Sequence, residues 1–186
     1  MNISWKESSQ GWKFTIEKDD IKISGTIAQP NDDAPFHLTS SDLVIARKPI
    51  VKPDYFKTNG ITSIDDKVRI AKDAAIKTIK KDLEKKKPLM EMIVNGSDPS
   101  IFNWGAFIYS SSFDFGYISF YITDGKKKYD GQISIQKRCE NSSFSLNWLF
   151  KNNVFLKTID ENKAKDEVVD IIRNHCAQRL SILKDL

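Results

Sequence analysis

Two histidines, two cysteines and eight glycines leave this chain of 186 residues little material for a recognisable catalytic motif. There is no G-x-S-x-G elbow, no C-x-x-C, no H-E-x-x-H and no glycine-rich phosphate loop. His37 stands near Asp32, Asp33, Ser40 and Ser41, but nearness along the chain is not the geometry of a triad. His175 falls on the flank of an apolar stripe and reads as structural. Asp114, Asp130 and Glu140 form no readable carboxylate pair. The expectation is therefore a chain without catalytic residues, metal or cofactor. Cys139 and Cys176 are too few for a disulfide framework. Cys139 follows Lys137 and Arg138, which favour a thiolate, yet both cysteines read as free structural thiols. The opening MNISWKESSQGW has no apolar signal core, and no run approaches the length of a membrane span. The expected setting is cytoplasmic and reducing, with no membrane partner.

Charge is present but uneven. The net charge is +4. Between Lys67 and Lys87 nine Lys/Arg face three acids, an excess of six positive charges, so the remainder carries a net −2. A basic stripe of that kind attracts phosphate or acidic partners, or is a solvated helix face. Hydrophobic residues at 40% and aromatics at 11% are globular values, with enough bulk for a sheet-on-helix core.

The pattern alternates between the periods of strand and helix. In GWKFTIEK, Trp12, Phe14 and Ile16 share one face and Lys13, Thr15 and Glu17 the other, as in a half-buried strand. IKISGTIA repeats this after an Asp19-Asp20 turn. FHLTSSDLVIARKPIV holds one or two more strands, and Pro49 and Pro53 put any strand there at an edge or at its end. From a Ser63 cap onward, Val68, Ala71, Ala75, Ile79 and Leu83 recur at helical spacing, and Pro88 is expected to end that helix. LMEMIV and NWGAFIYSS then read as strands. A hairpin follows over 116–123 and 128–137, then SFSLNWLF and NVFLKTI. Asp160 offers a cap for a last helix striped by Val168, Ile172, Cys176, Leu180 and Leu183.

The expected class is α+β: antiparallel sheet packed against two long amphipathic helices, in one domain over 1–186. A shift of 106 residues brings Phe14, Ile16, Gly25 and Ile27 onto Phe120, Ile122, Gly131 and Ile133, so pseudo-repeats over 1–88 and 89–186 are expected. In element order, two copies of strands-then-helix are similar to the Whirly and PUR families of single-strand binders. That resemblance implies a sheet face open to nucleic acid.

Two functions follow. The first is a non-catalytic protein-interaction module, an inhibitor, adaptor, immunity-type protein or subunit of a larger assembly. Phe107, Tyr109, Tyr117, Tyr121 and Arg138 are its candidate contacts, because aromatics and arginine concentrate at interface hot spots. The second is a protein that binds single-stranded DNA or RNA. There Tyr117 and Tyr121 are stacking platforms, and Lys13, Lys22, Lys80, Lys81, Lys126, Lys127 and Lys128 meet phosphate.

Overall fold

The structure, a computed structural model, describes residues 1–9, 11–43, 45–96, 101–123, 125–136, 144–148 and 151–186. Two antiparallel five-stranded sheets and their helices make it an α+β protein. The chain divides into two compact units: Met1–Lys85 with Ser181–Leu186, and Lys86–Leu180.

The first unit is a meander. Strands β1 (Asn2–Ser8), β2 (Gly11–Lys18), β3 (Ile21–Ala28), β4 (Phe36–Ser40) and β5 (Ile45–Val51) lie in sequence order. Its inner face carries Phe14, Ile16, Ile23, Ile27 and Leu38, all essentially without solvent exposure. Over that face lies the first stretch of α2 (Ile64–Asn95), through Ala71, Ala75, Ile79 and Leu83. Ser63 caps it, its hydroxyl accepting the Asp66 N–H at 3.4 Å. A short helix, α1 (Pro53–Thr58), adds Phe56 to this core. Strand β1 and α1 go beyond the sequence reading. β1 shows only Ile3 and Trp5 on its apolar side. Pro53 follows the end of edge strand β5, as expected, and sits in the first turn of α1, where its missing N–H costs nothing.

The helix does not stop at Pro88. It runs on to Asn95, and LMEMIV is helical rather than a strand. Leu89, Met90 and Ile93 fit helical spacing as well as a strand run. All three are buried in the second unit's core. Burial of three such side chains at about 1.5–3 kcal/mol each outweighs the roughly 3 kcal/mol of an interior proline.

The second unit is also a meander. β6 (Phe102–Ser110), β7 (Phe115–Thr123), β8 (Lys128–Gln136), β9 (Ser145–Trp148) and β10 (Lys151–Phe155) form the order β10-β9-β8-β7-β6. Ile118, Phe120, Ile122, Ile133, Leu146 and Trp148 pack with Val168, Ile172 and Cys176 of α3 (Glu161–Asp185). Asp160 caps that helix, accepting the Lys163 N–H at 2.9 Å.

One constellation occurs in both units. In the first, Trp5 pairs with Phe14 and Phe14 with Gly25 on adjacent strands. In the second, Trp104 pairs with Phe120 and Phe120 with Gly131. The rings meet at 5.5 Å and 4.8 Å. Each phenylalanine ring lies over its glycine. A Cβ on Gly25 would come within 2.5 Å of the Phe14 ring, and one on Gly131 would run into the Phe120 ring.

Candidate interaction face on the second sheet

The side of the second sheet turned away from its core is set by β7. Ile118, Phe120 and Ile122 point in, so Phe115, Tyr117, Ser119, Tyr121 and Thr123 point out. The register extends this outward face across the sheet. Ile108, Tyr117, Ser134, Ser145 and Phe155 form one row over all five strands. Ser134 and Ser145 meet through their hydroxyls at 3.1 Å.

A bulge decides which β6 side chains join that face. Trp104 pairs with Phe120 and Phe107 with Ile118, three steps on β6 against two on β7. The extra residue reverses the alternation. Phe107 and Tyr109 turn to the core side and Ile108 turns outward. Phe107 packs against the core, edge-on to Phe144 at 6.4 Å and stacked with Tyr109 at 6.3 Å. The sequence set of four aromatics is thereby divided: Tyr117 and Tyr121 lie half-buried on the outer face, Phe107 and Tyr109 on the other. Arg138 and Cys139 lie outside the described residues.

The β6–β7 hairpin end exposes Tyr109, which the sequence reading named, and Ile108, Phe113 and Phe115, which it missed. Ile108 is 51% exposed, Tyr109 43%, Phe113 73% and Phe115 36%. Phe115 stands beside Tyr117, ring centroids 6.1 Å apart. The alternation 115, 117, 119, 121 held the signal for Phe115. Ile108 could not be found without the bulge. The hairpin is braced: the Tyr109 hydroxyl donates to Asp114 Oδ1 at 2.5 Å. That hydrogen bond to a carboxylate, helped by slight desolvation and the nearby negative charge, raises the Tyr109 pKa above the usual tyrosine value. Asp114 itself has a φ of 49°, a conformation uncommon outside glycine. A loop held this way presents Phe113 to solvent.

Lysines gather at the opposite end of β7. Lys126 and Lys127 are exposed in the β7–β8 connection, and Lys128 opens β8. Lys128 Nζ sits 4.0 Å from the Tyr121 ring centroid and 3.7 Å from Asp130. The remaining candidate cations belong to the first unit. Lys13 and Lys22 are on the outer face of its sheet, Lys22 paired with Glu17 at 2.9 Å. Lys80 and Lys81 are on α2, which covers the inner face. So the first unit's four do not share a surface. Other cations of the basic stretch also have partners. Lys67 lies over Phe56 at 5.8 Å, Lys72 over Trp5 at 5.4 Å, and Arg69 pairs with Asp66 at 3.1 Å.

Elsewhere the chemistry is sparse. A groove of about 620 Å³ in the first unit has an apolar floor of Ile50, Val51, Ile70 and Ala74, rimmed by Lys52, Asp54, Asp73 and Lys77, both signs together. Among the described residues no three His, Cys, Asp or Glu gather as metal ligands. No helix there is long and apolar enough to cross a membrane. Burial pushes the Cys176 thiol up to about 12, which keeps it a thiol. Comparison with known proteins finds no family model that matches the chain, and no curated protein or solved structure that matches it.

Proposed function

We propose that this chain is a non-catalytic protein-interaction module that docks its partner on the β6–β7 end of the second sheet. The supporting observation is that Ile108, Tyr117 and Phe115 sit side by side on the outer face, with Phe113 exposed in the braced turn that joins β6 to β7. Isolated exposed apolar residues need no explanation, whereas a contiguous group marks a binding surface. Its chemistry favours protein over nucleic acid. Among the described residues the charged group at that end is the carboxylate of Asp114, which repels phosphate. The lysines sit at the far end of β7. There, Lys128 occupies the face of Tyr121 that a stacked base would need.

The same reading takes the two units as copies of one ancestral unit. Two five-stranded meanders, each followed by a long helix, and the repeated Trp-Phe-Gly constellation support it. The docking hairpin is then a specialisation of one copy. The equivalent β1–β2 turn is short and carries Ser8, Ser9 and Gly11 where the second unit has Phe113 and Phe115.

A photoreactive residue placed at position 113 tests the site, with position 13 as the control. In nuclease-treated extract, position 113 is expected to capture protein and position 13 far less. Equal capture at both positions removes the site. A labelled single strand that binds with steep salt dependence, and binds less well after Tyr121→Ala, moves the assignment to nucleic acid.

A further inference from the structure

Among the described residues four strands lie at sheet edges: β1 and β5 in one sheet, β6 and β10 in the other. An edge strand offers unpaired N–H and C=O groups to any extended chain, and proteins guard such edges with charge or proline. β1 carries Lys6 and Glu7, β5 carries Arg47, Lys48 and Pro49, and β10 begins with Lys151. β6 reads FNWGAFIYS, nine residues with neither a charge nor a proline. Among the described residues its guard is the bulge before Phe107, which leaves Phe107–Ser110 regular. Ile108 and Tyr109 of that stretch are exposed, and among the described residues β6 pairs with β7 alone.

We propose that the protein docking there is a second copy of this chain, with β6 pairing antiparallel to β6 about a two-fold axis centred on Ile108. The proposal rests on the reading of the β6–β7 end as a protein-docking surface. The strand is complementary to itself in this register. Ile108 faces its own copy, Phe107 faces Tyr109 of the second copy, and Ala106 faces Ser110. That arrangement gives two aromatic cross-strand pairs on the core side and an aliphatic pair on the outer side. The backbone fits in either phase. If Ile108 turns its amide outward, the central pair is hydrogen-bonded; if Phe107 and Tyr109 do, the two flanking pairs are.

Charge selects the partner. β6 brings no charge to oppose itself, and a net +4 per chain repels weakly across a neutral contact. β5 paired with itself would set cations against cations. The exposed Phe113 and Phe115 of each copy lie on the hairpin that continues from β6, so their patches adjoin the same contact. An isologous contact uses the unguarded edge of both copies and closes at two.

The test uses the full chain carrying Cys139→Ser, with Ile108→Cys or Ser110→Cys added, under mild copper-phenanthroline oxidation. Only position 108 faces itself, so Ile108→Cys is expected to give a disulfide-linked dimer and Ser110→Cys is not. In sedimentation equilibrium the unmodified chain is expected to dimerise by about 100 µM. Ile108→Lys, which sets ammonium against ammonium, should weaken that dimer about tenfold or more. Circular dichroism and melting are expected to show each variant folded, as suits a residue half open to solvent. A monomer at every concentration overturns the proposal. So does a dimer indifferent to Ile108→Lys, or equal cross-linking at 108 and 110. If the chain is monomeric while position 113 still captures a different protein, the docking surface stands and self-pairing falls. If neither occurs, both fall.

Discussion

The Tyr109–Asp114 contact shows how a single polar pair shapes an apolar surface. The phenol donates to the carboxylate and holds a backbone turn that Asp114 adopts at positive φ. The Tyr109 pKa is raised in the folded chain, so the brace contributes fully below the ordinary tyrosine value and is lost as pH rises through the raised one. Tyr109 is accordingly expected to titrate later than a free tyrosine in an ultraviolet difference titration against Tyr109→Phe. Amide exchange over 111–114 should quicken in that variant while its melting temperature barely moves. The two ring-over-glycine contacts belong to the core rather than to the surface. Gly131→Ala forces a Cβ into the Phe120 ring and is expected to cost about 1–3 kcal/mol in denaturant unfolding, as overpacking does. Cys176, buried and held as a thiol, should react with a thiol reagent only when the chain is unfolded.

At the scale of elements, α2 makes the clearest prediction. Pro88 is exposed within a continuous helix and gives no N–H to the turn before it. Pro88→Ala is expected to stabilise the chain by about 1–2 kcal/mol, the restored helical geometry being partly offset by a freer unfolded state. A lower melting temperature would mean that α2 needs the proline where it stands. The same helix marks how much was legible in the sequence. Strict alternation found β2, β3, β7 and β9, and helical spacing found α3 and most of α2, because each buries one regular face. Proline chemistry misled at Pro88, while Pro49 and Pro53 did mark an edge strand and its end. A breaker is read from local cost, and tertiary burial of Leu89, Met90 and Ile93 reversed that cost. The candidate face was legible in half. Tyr117 and Tyr121 followed from alternation, but the bulge in β6 exchanged Ile108 for Phe107 and Tyr109, and a one-residue bulge leaves no mark in composition.

At the scale of the whole molecule, the chain crosses between its two units twice, and both crossings fall inside helices, at Lys85–Lys86 in α2 and at Leu180–Ser181 in α3. The first unit therefore includes Ser181–Leu186. Ile182 is fully buried in its core, Leu183 and Leu186 pack against that core, and Lys18 bonds to the Ser181 carbonyl and to Asp185, each at 2.9 Å. Ile182→Ala is expected to destabilise the protein by about 2–5 kcal/mol in chemical denaturation. Because each helix serves both units, one cooperative transition is expected rather than two. The Lys18 hydrogen bond lowers the Asp185 pKa, so its contribution is present above the ordinary aspartate value and is lost as pH falls through the lowered one. Asp185→Asn should flatten that part of the acid limb of a stability curve.

That discontinuity also orders the protein's birth. The first sheet is synthesised ahead of the whole second unit, yet its core lacks Ile182 until that later segment follows. Over that interval its apolar face keeps a gap that residues 1–85 do not fill, the kind of exposed surface on which nascent chains misassociate. Of the two units, the one begun earlier is closed later.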